Sequence, residues 1–316
     1  MSKQKFHYGG QAVIEGIMIR GERHYSLAVR KGDGSIHREA ELLDQRFNGR
    51  VRRIPFLRGI LVLAESLILG FKVLTKSANL AVSSNNEIET EEFSKFAMFV
   101  TLAITTVVGI TVFFLGPLFA ARGMDSLLFS DVESDAWASV ISNGTEGIIR
   151  LGLLVGYIGL IGMMKDIKRV FAYHGAEHMA IHAYEHNLPL TVENIRKFST
   201  AHPRCGTAFL LTVAVISVIV FGFLGRPDML TAIFSRVVLI PVIAGISYEF
   251  LRLSGTIGDT QLGKLLSSPG LTLQKLTTRK PDDQQIEVAI VAMEKAISAD
   301  HESDNMIPIL GDSQGI

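Results

Sequence analysis

The sequence predicts a mainly α membrane protein with about four transmembrane helices and an interfacial helix. A small N-terminal β-meander and cytoplasmic helices carrying a histidine-rich motif complete it. Three observations predict this class. The composition is 48% hydrophobic and 20% charged with a mean hydropathy of +0.32, too apolar for an ordinary soluble domain and too charged for a wholly buried transporter. Two long stretches carry no charge at all. A ladder of histidines follows directly on a further apolar run.

The uncharged stretches are Ala97–Ala120, 24 residues, and Cys205–Gly225, 21 residues. A bilayer core needs about 20 helical residues, so both read as spans. Gly147–Met164 carries Arg150, and Met229–Tyr248 carries Arg236 and Pro241. Each reads as a span whose arginine snorkels or faces protein rather than lipid. Ile54–Leu74 is apolar but is interrupted by Pro55, Arg58, Glu65 and Lys72, the pattern of an interfacial or re-entrant amphipathic helix.

Basic residues set the orientation. Lys3, Lys5, Arg20, Arg23, Arg30, Lys31, Arg38, Arg46, Arg50, Arg52 and Arg53 precede the first span, whereas Arg122–Glu146 is acidic. Lys165, Lys168, Arg169, Arg196, Lys197 and Arg204 follow the second span. Positive-inside bias then puts both termini and the histidine segment in the cytoplasm. Trp137 reads as an interface anchor on the outer loop. The first fifty residues contain no apolar core of a signal peptide.

Before the spans, Gln11–Ile19, Tyr25–Arg30 and Ser35–Glu41 alternate or run in β-branched residues, with a Lys31-Gly-Asp-Gly34 turn. They read as a three-stranded meander, too small to stand alone and expected to dock elsewhere. Glu15 and Arg20 read as a docking ion pair, and Gly9-Gly10 as a loop without the residues of a phosphate loop. Asn85–Glu92 is a charged linker. Two cytoplasmic helices follow the second span. The first runs on from it, and the second is capped by Thr191 after a break at Leu188-Pro189. Gly255–Gly270 reads as a loop, Pro281–Ile286 opens an amphipathic helix, and the tail from His301 reads as disordered. The organisation is therefore 1–53 meander, 54–84 interfacial helix, 93–254 membrane domain with the histidine insertion 165–204, 255–300 loop and helix, and 301–316 tail.

The chemistry lies in His174-Gly-Ala-Glu177-His178 and its echo His182-Ala-Tyr-Glu185-His186. Histidines four apart on a helix differ by about 40° in azimuth and about 6 Å in rise, so two imidazoles can share one ion. Zinc held by two imidazoles with a carboxylate nearby is the chemistry of metal-dependent hydrolysis, with Glu177 as general base and the metal lowering the pKa of a bound water. From 174 to 186 the azimuth drifts about 120° over a rise of about 18 Å, so one ion cannot take all four. Either His182 joins the first pair, or two sites exist. The order of a ferritin-like di-iron site is absent. For a third ligand, His202 and Cys205 stand just before a span, and Glu249 ends the last one. Cys205 could equally be a small apolar filler, and Glu249 could pair with Arg252. A single cysteine rules out an intrachain disulfide. No basic patch with interleaved aromatics is visible, so no nucleic-acid partner is expected.

Gly9-Gly10-Gln-Ala-Val-Ile-Glu15-Gly-Ile-Met-Ile-Arg20-Gly, Tyr173–His178, Leu190–Asn194, His202–Gly206 and Pro281–Glu287 resemble the YqhQ-like family of bacterial membrane proteins, whose function is unknown. The resemblance covers nearly the whole chain. It implies a bacterial inner-membrane protein and a metal-dependent enzyme, but no particular reaction. It also implies a motif without His186, which favours a single site at His174, His178 and His182. The expected function is thus a zinc-type hydrolase with an open cytoplasmic site, acting on a small-molecule, lipid-linked or peptide substrate. The alternatives are a non-catalytic metal sensor or scaffold, and a metal-free pH-responsive or headgroup-binding histidine surface. The bilayer is the one partner the composition requires, and a homo-oligomer is compatible with it.

Overall fold

A computed structural model describes residues 8–44, 52, 54–82, 95–128, 136–258 and 260–311. The linker Asn85–Glu92 and part of the basic N-terminal region lie outside the described residues. The chain is mainly helical, with one antiparallel sheet at its N-terminal end.

The sheet has four strands, not three: β1 Gly9–Val13, β2 Gly16–Arg20, β3 His24–Arg30 and β4 Ile36–Leu42, paired in chain order. What read as one strand, Gln11–Ile19, folds back at Ile14-Glu15, where Glu15 adopts φ 52° and Val13 faces Gly16. Gly16 permits this, because a Cβ there would lie 2.4 Å from the carbonyl oxygen of Ala28. The turn before β4 spans Lys31–Ser35, with Gly34 at φ 85°.

Both faces of the sheet are covered, which is why β2 reads as an unbroken apolar run. Ile17, Ile19 and Ala28 pack against helices α5 (Lys165–Glu185) and α11 (Asp283–Gly311). Val13, Met18, Tyr25, Leu27 and Val29 pack against Val73 and Leu80 of α1 (Leu57–Val82). The charges that interrupt the apolar sequence of α1 serve this docking. Arg20 reaches Glu65 at 2.7 Å, and Lys72 and Lys76 hold Glu41 at 2.6 and 3.1 Å. Glu15 and Arg20 do not pair with each other. Each anchors the sheet to a different helix, Glu15 through Arg169 of α5 at 2.5 Å.

Among the described residues, two helical paths are long and apolar enough to cross a membrane, Phe99–Leu127 and Ser139–Ile161. A third counts if a bent pair is taken as one span. The first path comprises α2 (Lys95–Ile110), a π-helical turn Thr111–Leu115 and α3 (Gly116–Leu128). The second lies in α4 (Ala136–Ile161), which starts well before Gly147 because the stretch read as an acidic loop is partly helical. The bent pair is α8 (Met229–Val238) and α9 (Ile240–Thr256), meeting at 47° beside Pro241. The expected span at Cys205–Gly225 is a shorter helix, α7 (Thr207–Phe223), of 17 residues, about 25 Å at 1.5 Å per residue.

The arginines of these apolar helices face protein. Arg150 and Arg236 converge on Glu146 at 2.6 and 2.8 Å, all three buried. Arg150 also donates to Ser217 and to the carbonyl of Phe113, which lies in the π-helical turn.

Beyond the apolar helices three expectations change. The histidine helix does not continue from the span. Gly162–Met164 breaks the chain, and α5 starts afresh at Lys165 with Met164 extended. The stretch 255–270 is mostly helix, because Thr260 caps the new helix α10 (Gln261–Thr277) by accepting from the amide of Gly263. Gly270 lets α10 lie against Ala208, whose Cβ a methyl group there would meet at 2.7 Å. Third, α11 extends to Gly311, past His301, along the apolar sequence Met306–Leu310. The expected cap at Thr191 is present, accepting from Asn194 and opening α6 (Val192–Ile195), and α11 opens where expected, with Asp282 and Gln285 each accepting from the other's amide.

Candidate metal centre

Helix α5 is polar by composition yet central in the fold. From Ala172 to Ala183 all but His182 are buried, between β1 and β2, α11, and the segment 195–205. Small residues make this close approach feasible. At Gly175, a Cβ would come within 2.2 Å of the carbonyl oxygen of Arg279. The histidine ladder therefore runs from the interior to the surface. His174 and His178 are buried, His182 is half-buried and His186 is exposed.

Two of these rings are held for ligation. His174 donates from Nδ1 to the carbonyl of Thr277 at 2.8 Å, and His178 donates from Nδ1 to the carbonyl of Thr200 at 2.7 Å. A carbonyl only accepts, so each bond places the proton on Nδ1 and leaves Nε2 with its lone pair. Metal-binding imidazoles are oriented by the same outer partner. Nε2 of His174 lies 3.2 Å from Sγ of Cys205, and His178 also contacts that thiol. One ligand atom from each of His174, His178 and Cys205 lies within 4.8 Å of the others. Burial pushes the Cys205 thiol up, but the contact with His178 and the hydrogen bonds from Thr207 outweigh it, so the thiol sits below its ordinary value. Burial pulls His178 down, toward the neutral form a metal requires. Two imidazoles and one soft sulfur, all buried, suit zinc.

Glu177 reaches the same place from the flank of α5 that faces β1. Its carboxylate rests against Gly10, where a Cβ would lie 2.8 Å from both Cδ and Oε1 and 2.6 Å from the carbonyl oxygen of Met18. Burial pushes its pKa up to about 8, against the lowering effects of His174 and the Gly10 amide. Its Oε2 is buried without a hydrogen-bond partner. At that value the carboxyl is protonated at neutral pH in the empty site; a cation bound by the neighbouring trio would favour the carboxylate, whose idle oxygen is then placed to take a proton from a ligand in the site.

The other expected ligands fall elsewhere. His182 donates from Nε2 to the carbonyl of Ala201 at 3.0 Å and groups with Glu185 and His202 instead. Each four-residue step carries a ligand about 6 Å along the helix, and by His182 the first centre is out of reach. Cys205 takes the third place. The second trio is a hydrogen-bonded array. The Arg204 amide donates to Nδ1 of His202, Nε2 of His202 faces Glu185 at 3.3 Å, and the Arg204 guanidinium also pairs with Glu185. With Nδ1 accepting, the His202 proton sits on Nε2, the wrong nitrogen for a metal there. Burial also pulls His202 down to about 4. Glu249 belongs to neither trio. Arg58 pairs with it, Nε to Oε1 at 2.6 Å, and the Phe56 amide adds a bond.

The sequence left four supports unnoticed. Gln274, fully buried, clamps His202 from both sides, accepting from its amide at 2.8 Å and donating to its carbonyl at 2.9 Å. Thr200 and Thr277 hold the imidazoles through their carbonyls, which leave no mark in a sequence. Gly10 does carry one, in the Gly-Gly pair, though its meaning needs the partner helix. Above the trio opens a cavity of ≈ 470 Å³, lined by His174, Glu177, His178 and Cys205 below and by Arg20 and Arg204 among its walls.

A sequence profile described as "Protein of unknown function (DUF1385)" matches residues 54–299. The chain is 40% identical over 304 residues to "Uncharacterized protein YqhQ" of Bacillus subtilis (strain 168), covering 92% of each chain. No solved structure matches it significantly.

Proposed function

This chain belongs to the DUF1385 family of proteins of unknown function, and from that premise we propose that it is a zinc-dependent hydrolase of the bacterial inner membrane. The reading places the site on the cytoplasmic side, with both termini, and retains four spans by counting α7 and the bent pair. The observation that carries it is the convergence of His174, His178 and Cys205 beneath an open cavity, with Glu177 beside them.

Zinc in this trio would supply Lewis acidity toward an acyl oxygen or a water. The rest falls to the chain. Thr277 and Thr200 fix the two imidazoles, and the Cys205 sulfur, supported by Thr207, completes a three-ligand set. Glu177 takes the proton from the attacking water and returns it to the leaving group. Three ligands with a free position are the pattern of catalytic zinc, whereas a structural site closes with four. No fourth donor joins the trio among the described residues, which favours the enzyme over the sensor or scaffold.

Elemental analysis of detergent-purified protein, combined with a reactivity screen across amide and ester substrates, tests the proposal. The expected results are one zinc per chain, about tenfold less metal in His178→Ala, and full metal with no turnover in Glu177→Gln. Metal-free wild-type protein would end the proposal, as would full turnover in Glu177→Gln.

A further inference from the structure

The cavity above the trio has an uneven charge pattern. Its walls hold two guanidiniums, Arg20 from β2 and Arg204 from the segment before α7, and its lining carboxylate is Glu177 at the floor. Arg20 spends one Nη on Glu65 at 2.7 Å, and Glu65 is shared with Arg52 at 3.2 Å. Arg204 spends one Nη on Glu185, which also faces His202. The remaining nitrogens of both guanidiniums have no side-chain partner among the described residues. The lining also includes the apolar Leu69, Val170, Phe171 and Ile181, with Gln11, Ser66 and Thr207 as polar members.

We infer that the substrate is an acid: an acyl compound whose scissile bond sits over the trio and whose carboxylate or phosphate, beyond an apolar spacer, meets Arg20 and Arg204. Guanidiniums match such groups with paired donors, and the apolar part of the lining strengthens the contact. A neutral substrate would leave the remaining donors of both ion-paired guanidiniums unused. This inference rests on the metal reading of the floor.

The test uses zinc-loaded full-length protein in detergent and a probe series that needs no known substrate. Hydroxamates chelate zinc. Those from succinic to suberic monohydroxamate carry a carboxylate at increasing distance, and each has a neutral methyl ester as its match. Calorimetric titration should find at least one acid about tenfold tighter than its ester. Arg20→Gln and Arg204→Gln should each remove most of that preference while leaving the ester's affinity within about twofold, and the lysine variants should restore part of it. Unchanged zinc content confirms that the variants are folded. Acids and esters of equal affinity in the wild type would overturn the inference and leave the metal site standing. Failure of every hydroxamate to bind would instead overturn the metal reading beneath it.

Discussion

Gly10 and Glu177 show how much a missing side chain can decide. The carboxylate lies where a Cβ on β1 would be, 2.8 Å from the methyl position. Gly10→Ala must move either Glu177 or the strand, and overpacking of this kind costs about 1–3 kcal/mol. A thermal-unfolding midpoint several degrees lower is expected, and an unchanged midpoint would mean that the contact is looser than described. Gln274 tests the other support. Gln274→Leu strips a buried amide and a buried carbonyl of His202 of their partners, a loss of about 2–4 kcal/mol. It should also reduce bound zinc, because the segment 202–205 carries Cys205; full zinc content would show that the clamp does not position the ligand. At this scale the sequence was generous with His174, Glu177, His178 and Cys205, whose side chains are chemically distinctive. It was silent on Thr200, Thr277 and Gln274, which act through main-chain atoms or on main-chain atoms.

Among the elements, the sheet and α1 are joined by charge as well as by apolar packing. Burial pushes Glu41 up, but the ammoniums of Lys72 and Lys76 and the hydroxyl of Tyr25 outweigh it and hold the carboxyl at about 2, against an ordinary 4.5. A depressed value means stabilisation that is complete above about pH 4.5 and lost as pH falls through 2. Glu41 is over a third exposed, so screening limits the contribution to about 1 kcal/mol. Wild type should unfold at a higher temperature than Glu41→Gln at pH 7, with the gap closing between pH 5 and pH 2. A gap independent of pH would contradict this account.

The triad of Glu146, Arg150 and Arg236 ties α4 to α8 in the apolar part of the molecule. Glu146→Ala leaves two buried guanidiniums without their carboxylate, at a cost of about 3–5 kcal/mol. Sharply reduced thermal stability in detergent is the expected outcome, and wild-type stability would show that the pairing is not structural. The apolar runs predicted the long helices, but not the shortness of α7 or the bend at α8 and α9. Where a helix starts and stops depends on caps and breaks such as Thr260 and Gly162–Met164, which composition does not register. The fold-back at Ile14-Glu15 was hidden for a related reason, since β1 and β2 together look like one apolar run.

Taken whole, the molecule brings three units to one point. The sheet supplies Gly10 and Arg20, α5 supplies the imidazoles and Glu177, and the junction ahead of α7, braced by α10, supplies Cys205. Parts distant in the chain meet because α5, despite its polar composition, is the inner helix. Positive-inside bias assigned the histidine segment a side of the membrane but not a depth in the fold, since a buried histidine ladder and an exposed one have the same average hydropathy. Its alanines and Gly175 were the visible sign of close packing, and they acquire meaning only with α11 and the sheet in place.

The claim on which all of this depends is that His174, His178 and Cys205 hold one zinc ion between them. X-ray absorption at the zinc edge of the purified, metal-replete protein measures it most directly. The expected shell contains one sulfur at about 2.3 Å and nitrogen or oxygen donors at about 2.0–2.1 Å, with the sulfur lost in Cys205→Ser. A shell of nitrogen and oxygen alone, unchanged by that substitution, would contradict it.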